Sequence, residues 1–387
     1  MMAATVCFWA CVMLVTYVWY AYPVLLWTLS HAGRKRRNAL LEAKEDSWPT
    51  ITIIIAVHNE EATLAERLEN CLSLSYPHDK FEIVVASDGS TDGTVRVARE
   101  FAQRHENIHV SAQETREGKT AAQNAAARLC NGDVILFSDA DTKFDARILE
   151  HIARPFADPK VGCVAGGLLW VNPDESAIAA GSDVYWRYER FMWREESTLG
   201  LLAWGSGACL AVRRALFRPV ETQFGEDCIV PLDIVSLGYR VVFQPDAIAY
   251  EPRIATPGAE LRSRTRMTLR SFAGTLSRGH LLNPVRFPGI SWAIVSHKLL
   301  RWLTPYLLLL MLASNAVLVE RPFYRLTLGL QALFYLSGLL GHALDRHHIR
   351  VPVVSTIYAF CLMNLGVAVG VAQAIGGRRI FAYRSEG

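Results

Sequence analysis

Apolar residues are distributed along this chain in two different ways. From Met1 to Ser30 no Lys, Arg, Asp or Glu interrupts them, and three more uncharged runs follow in the last third, Trp302 to Val319, Leu326 to Leu344 and Val351 to Gly377. Each is close to or beyond the roughly 20 residues that span a bilayer as a helix. The first has no basic region before it and is far longer than the apolar core of a signal peptide, so a retained transmembrane helix is expected. Between Trp48 and about Pro257 the pattern changes. Short β-branched runs alternate with stretches of helical period, the signature of parallel strands joined by crossover helices. Strands are predicted at Thr52–Val57, Glu82–Ser87, Ile108–Ala112, Asp133–Ser138 and Val161–Ala165, and helices at Glu60–Leu74, Thr91–Arg104, Lys119–Leu129 and Ala146–Phe156.

A length of 387 residues fits one catalytic-sized domain plus several spans, and not two large soluble domains. The expected order is a transmembrane helix over 1–30, a basic linker over 31–47, an α/β domain over 48–280, an interfacial helix over 281–301, three hydrophobic membrane segments over 302–377 and a tail over 378–387. The interfacial assignment rests on Trp292, His297, Lys298 and Arg301 among apolar neighbours. The cluster Arg34-Lys35-Arg36-Arg37 puts the domain on the cytoplasmic side of an integral protein of the cell membrane. Simple alternation of four spans would leave Arg378 and Arg379 on the opposite side, so one C-terminal segment is expected to be interfacial or re-entrant. The predicted spans carry no Asp, Glu, Lys or Arg, which argues against a transporter or channel.

The net charge of +3 is too small to argue for a nucleic-acid partner, and the lipid bilayer is the expected neighbour of the basic clusters. The eight cysteines include no Cys-x-x-Cys pair, which suggests neither a disulfide framework nor a zinc site. Buried thiols in a reducing compartment are the plain alternative.

In a parallel α/β sheet, ligands gather beyond the carboxyl ends of the strands. Those positions are polar here: His58-Asn59-Glu60-Glu61 after the first strand, Asp88-Gly89-Ser90-Thr91-Asp92-Gly93-Thr94 after the second, and Asp139-Ala140-Asp141 after the fourth. Any one of these groups could simply cap a helix or turn the chain. Together they crowd carboxylates at one edge, which is costly unless a cation or polar ligand is shared there. An Asp-x-Asp pair suits Mg2+ or Mn2+ completed by water and substrate phosphate, with Asp141 as first ligand and Asp139 nearer the nucleoside. Lys119 opens a predicted helix and reads equally as a cation near a phosphate donor or as a solvated surface lysine. Glu226 and Asp227 are candidates for a catalytic base, or acids favoured by the start of a helix. The aromatic stretch Tyr185–Trp193 reads as an acceptor surface or, more plainly, as core and interfacial packing.

Four motifs, Val57-His58-Asn59-Glu60, Ser87-Asp88-Gly89-Ser90-Thr91-Asp92, Asp139-Ala140-Asp141 and Gly225-Glu226-Asp227, occur in the order in which they recur in a known family. On them the chain resembles the inverting family 2 glycosyltransferases of GT-A fold, whose sheet is Rossmann-like and mostly parallel. It especially resembles the membrane-bound synthases of cellulose, chitin, hyaluronan and poly-N-acetylglucosamine. The resemblance implies a nucleotide-sugar donor, UDP by family expectation, and single-displacement transfer to a polysaccharide or glycolipid acceptor in cell-surface glycan synthesis. It also implies that Asn59, Glu60 and Asp88 line the nucleoside pocket, that Asp139 and Asp141 serve donor and metal, and that Asp227 is the base.

The sequence departs from the family at the Gln-x-x-Arg-Trp motif of processive members, where it reads Ser263-Arg264-Thr265-Arg266-Met267. Arg264 and Arg266 remain candidates for a diphosphate clamp or for topogenic charge. Loss of the tryptophan favours a rival in which one sugar passes to a lipid acceptor. A polymer would need a homo-oligomer or an export partner, because four helices make a thin conduit. A noncatalytic membrane scaffold that retains the fold is the further alternative.

Overall fold

The computed structural model describes residues 1–33, 48–171, 177–252, 256–347 and 349–381, with backbone only over 177–184. The cluster Arg34–Arg37, most of the predicted linker and the last six residues of the predicted tail lie outside the described residues.

Eight strands form one sheet: β1 Ile51–Val57, β2 Phe81–Ser87, β3 Ile108–Ala112, β4 Val134–Asp139, β5 Lys143–Phe144, β6 Val161–Val171, β7 Leu210–Arg213 and β8 Arg240–Pro252. Their order is β3-β2-β1-β4-β7-β6-β8-β5. The five predicted strands are all present. The strands β1 to β4 pair in parallel, with Ile54 beside Val84 on one side and Phe137 on the other. The other half is mixed, because β7 runs antiparallel between β4 and β6, and β5 runs antiparallel along β8. Alternation along β1 explains why it is apolar throughout: Ile53 and Ile55 join one buried layer and Ile54 the other. The chain leaves β1 towards β2 and β3, then returns to place β4 on the opposite side of β1. The crevice between β1 and β4 is therefore a topological switch point.

The helices, in chain order, are α1 Met2–Ala32, α2 Leu64–Leu72, α3 Thr94–Arg104, α4 Lys119–Ala127, α5 Ile148–Ala153, α6 Ala177–Leu199, α7 Glu226–Ser236, α8 Pro257–Ser277, α9 Pro288–Val317, α10 Pro322–Arg346 and α11 Pro352–Ile375. Helices α2 to α5 correspond to the four predicted between the strands. Four helices, α1, α9, α10 and α11, are long and apolar enough to cross a membrane.

Helix α9 corrects two expectations. The predicted interfacial stretch does not stand apart, because its residues from Pro288 onward continue without a break into the apolar run that follows. The helix therefore carries Lys298 and Arg301, so a candidate span does contain basic residues. They are matched by the α/β domain. Glu189 of α6 lies 2.6 Å from Arg301 and 4.0 Å from Lys298. His297 sits between Glu189 at 3.0 Å and Glu196 at 2.7 Å, and the Tyr22 hydroxyl of α1 donates to Glu196 at 2.9 Å. One buried polar cluster thus joins α1, α6 and α9, backed by packing of Tyr22 and Leu26 on Met192.

The last apolar helix docks on the domain. A Cβ on Gly366 would lie 2.9 Å from the Arg264 Cβ, and one on Gly370 would lie 2.7 Å from the Thr265 carbonyl. These two glycines, one turn apart, let α11 press directly on α8, in the small-residue manner of close helix pairs. Gly370→Leu is expected to force the helices apart and destabilise the detergent-solubilised protein by about 1–3 kcal/mol, read as a lower thermal midpoint. Gly329→Ala, which meets no heavy atom within 4 Å, should leave the midpoint in place.

Candidate active site

The strand-end motifs meet at the switch point. After β1 the chain turns through Asn59, which adopts a left-handed φ of 56°. The Asn59 side chain accepts from the Thr91 amide at 2.8 Å, so it fastens the loop after β1 to the loop after β2. Glu60 accepts from the Thr63 hydroxyl at 2.8 Å, while its own amide donates to Thr94 at 2.8 Å. Asp88, at the end of β2, is buried and accepts from the amides of Glu117 and Gly118 at 2.7 and 2.8 Å. It thereby holds the segment entering α4. Gly118 has φ 102°, a backbone region that other residues rarely adopt, and this turn aims the first residue of α4 into the crevice.

That residue is Lys119, and its surroundings rule out the solvated alternative. Its ammonium lies 2.5 Å from Asp139 at the end of β4 and 2.7 Å from Glu226 at the start of α7. Gln123 donates to the same Glu226 oxygen at 3.1 Å. A Cβ on Gly207 would sit 2.8 Å from Glu226 and 3.0 Å from the Lys119 ammonium, so only glycine leaves room for the bridge.

Asp141 is different. Its side chain is open to solvent at the rim, and among the described residues no cation pairs with it. Partial desolvation among the strand ends and the neighbouring Asp139 charge push its carboxyl up to about 6. Burial, with the charges of Asp139 and Asp141, pushes Glu251 at the end of β8 up to about 8. Glu251 accepts from Thr142 at 3.3 Å, and the sequence patterning did not single it out because β8 was not predicted. The described residues form no cage of three or more ligating side chains. The donor set instead suits a hard divalent cation that takes one or two carboxylates and completes its shell with phosphate oxygens and water. Asp141 and Asp139 are the residues that could hold it.

Glu226 and Asp227 are adjacent on the first turn of α7 but serve different surroundings, since neighbours on a helix point roughly 100° apart. Burial alone would push Glu226 up, but the Lys119 charge and the hydrogen bonds from Lys119 and Gln123 hold it below the usual carboxylate range. Burial and the Glu226 charge push Asp227 above that range. Asp227 lines a chamber of about 130 Å³ whose other walls include Trp204, Tyr185 and Trp193, together with Trp19 of α1, Trp302 of α9 and Val367 of α11. The stretch Tyr185–Trp193 therefore both packs in the core and faces this chamber.

The two arginines of α8 do not lie side by side. Residues two apart lie on nearly opposite helix faces. Arg264 turns to the chamber, 2.9 Å from Glu260 and with its guanidinium 4.5 Å from the Tyr185 ring centre, and Arg266 is half-buried elsewhere on the helix. Arg270, which the motif comparison passed over, is the one that reaches the crevice, donating to the Thr120 hydroxyl at 2.9 Å and to the Phe224 carbonyl. The four-residue step from Arg266 to Arg270 was the available signal.

Lys119→Met leaves two crowded carboxylates without their cation. It is expected to weaken binding of UDP or GDP by at least about ten-fold by calorimetry, with Lys119→Arg between it and the parent protein.

Residues 52–220 match the profile described as Glycosyl transferase family 2. A probable glycosyltransferase of Bacillus subtilis, YdaM, is 25% identical over 326 residues, which is 79% of this chain and 74% of that protein. An N-acetylglucosaminyltransferase of Rhizobium sp. is 28% identical over 253 residues, 61% of this chain and 56% of that protein. A beta-monoglucosyldiacylglycerol synthase of Nostoc sp. is 30% identical over 159 residues, 40% of this chain and 34% of that protein. The chain thus spans only about half and a third of the last two relatives. Among solved structures, the mannosyltransferase PcManGT from Pyrobaculum calidifontis, in complex with GDP-Man and Mn2+, superposes with a TM-score of 0.69 at 21% identity, covering 96% of this chain and 99% of that one. The α/β part of this chain thus has the GT-A fold and over residues 52–220 is similar to family 2 glycosyltransferases, and it is carried together with four helices long enough and apolar enough to cross a membrane.

Proposed function

We propose that the chain is a membrane-bound inverting glycosyltransferase that moves a sugar from a nucleoside diphosphate, UDP by preference, to a polysaccharide or glycolipid acceptor. The observation that carries this reading is the divided acid pair. Glu226 is tied through Lys119 to the Asp139 edge, while Asp227 faces a chamber walled partly by the apolar helices. Donor and acceptor can then approach a single point from the sheet edge and from the membrane side. Four apolar helices favour an integral membrane protein, and the basic cluster after the first of them favours a cytoplasmic catalytic domain.

In this scheme the loops braced by Asn59 and Asp88 border the nucleoside, and Glu60 stands beside them. Asp141, with Asp139, would hold a magnesium or manganese ion, which when bound supplies Lewis-acid stabilisation of the leaving diphosphate. Lys119 and Arg270 add positive charge on the protein side of the same edge. Asp227 accepts the proton of the attacking hydroxyl, a role favoured by a carboxylate whose proton affinity is raised. A single displacement then inverts the anomeric centre.

Nucleoside diphosphate release by the purified protein, measured over a panel of nucleotide sugars with Mn2+ or Mg2+, tests this reading. Asp227→Asn should lower turnover by about 10²-fold or more while nucleotide still binds, and Asp141→Ala should remove the metal-dependent turnover. Full turnover by Asp227→Asn would refute the assignment of the base. Nucleotide binding with no donor consumed, even with membrane extract as acceptor, would favour the scaffold alternative.

A further inference from the structure

The chamber beside Asp227 carries information about the acceptor, and its use here rests on the transferase reading above. Its three Arg and Lys side chains are set against four carboxylates. Arg264 is 2.9 Å from Glu260, Arg301 is 2.6 Å from Glu189, and Lys298 shares Glu189 at 4.0 Å, with its ammonium 4.9 Å from the centre of the Trp204 ring. Glu196 belongs to the same buried cluster, and Asp227 adds a carboxylate with no basic side chain paired to it among the described residues. No net positive charge is left to hold a phosphate, and an anionic acceptor brought up to Asp227 would meet like charge.

The uncharged groups point the same way. Trp193 and Trp204 both line the chamber, are 4% and 3% exposed, and have indole N–H groups with no hydrogen-bond partner. A buried donor without a partner is costly, and a ligand rich in hydroxyl oxygens would supply one. Trp186 and Tyr185 add aromatic rings to the same wall, and Ser271 and Asn364 add small polar groups. Hydroxyls together with apolar C–H faces are the chemistry of a sugar.

The remaining wall sets what the sugar is attached to. Trp19, Trp302, Met363 and Val367 come from three of the four candidate spans, so the chamber opens among surfaces that suit acyl chains. Between the chamber and the contact of α1 with α9 stand Glu189, His297 and Arg301, with Glu196 and Tyr22 fully buried behind them. The geometry points to an uncharged, sugar-headed lipid as the acceptor, entered from the membrane side and extended by one sugar at a hydroxyl facing Asp227. In that step the hydroxyl oxygen forms the new bond to the anomeric carbon, the bond from that carbon to the diphosphate breaks, and the hydroxyl proton passes to Asp227.

The full-length protein in nanodiscs, supplied with the donor that supports turnover, is offered a monohexosyl diacylglycerol, diacylglycerol itself, a polyprenyl phosphate or a soluble oligosaccharide, and the products are weighed by mass spectrometry. The expected product is the hexosyl lipid enlarged by one sugar. Trp193→Phe and Trp204→Phe, which keep the ring and remove the N–H, should each raise the KM for that lipid about ten-fold with little change in kcat or in nucleotide binding. Preferred transfer to the polyprenyl phosphate, to bare diacylglycerol or to the soluble chain would overturn the inference, as would a polymeric product or an unchanged KM in both variants. Absence of both nucleotide binding and donor hydrolysis would instead sink the transferase reading, and the acceptor assignment with it.

Discussion

A single ammonium group holds the catalytic edge together. The topology brings acids from β4, β8 and α7 to one rim of the sheet, and without compensation their repulsion would spread the loops that carry them. Lys119 bridges the two ends of this arrangement, from Asp139 on the sheet to Glu226 on α7. Much of the local sequence serves that placement. Asp88 fixes the approach to α4, Gly118 turns the chain, and Gly207 leaves the space the bridge occupies. The bridge neutralises one side of the rim and leaves Asp141 unmatched, which confines the demand for a further cation to a definite point.

The division between Glu226 and Asp227 follows from helix geometry. Two acids in sequence at a helix start diverge by roughly 100°, so one turn of α7 can present a carboxylate to the sheet edge and another to the chamber. The start of a helix also favours both negative charges. Both carboxylates are thereby anchored to one rigid element, and the backbone of Asp227 is pinned in turn by the Gly205 amide, which donates to its carbonyl at 3.2 Å.

What could be read from the sequence was what is local. β-Branched runs marked β1 to β4 because strands covered on both faces are apolar throughout, and the polar residues just beyond them marked the rim. Strands β7 and β8 escaped notice for physical reasons: β7 has four residues, and β8 is interrupted by Pro245. With β8 went Glu251. Arg264 and Arg266 stand on different faces because proximity in sequence is not proximity on a helix, and Arg270 turns to the crevice. Lys119 was undecidable from its neighbours, since its partners are 20 and 107 positions away. The chamber was hidden for the same reason, being assembled from α1, α6, α7, α8, α9 and α11. Helix α9 was cut at Arg301 because a basic residue reads as an interface until its buried partner on another element is seen.

That partnership has a consequence for how the protein is made. The first turns of α9 carry Lys298 and Arg301, whose countercharge lies on α6, about a hundred residues earlier in the chain. In a bilayer these turns would be costly to leave facing lipid, whereas the carboxylate cluster of Glu189 and Glu196 offsets their charge. Settling of α9 at its final depth is therefore coupled to completion of the α/β domain, and α11, which rests on α8, can dock only after both. The order of synthesis matches the order of dependence: the domain emerges first, and it provides the template on which the later helices assemble.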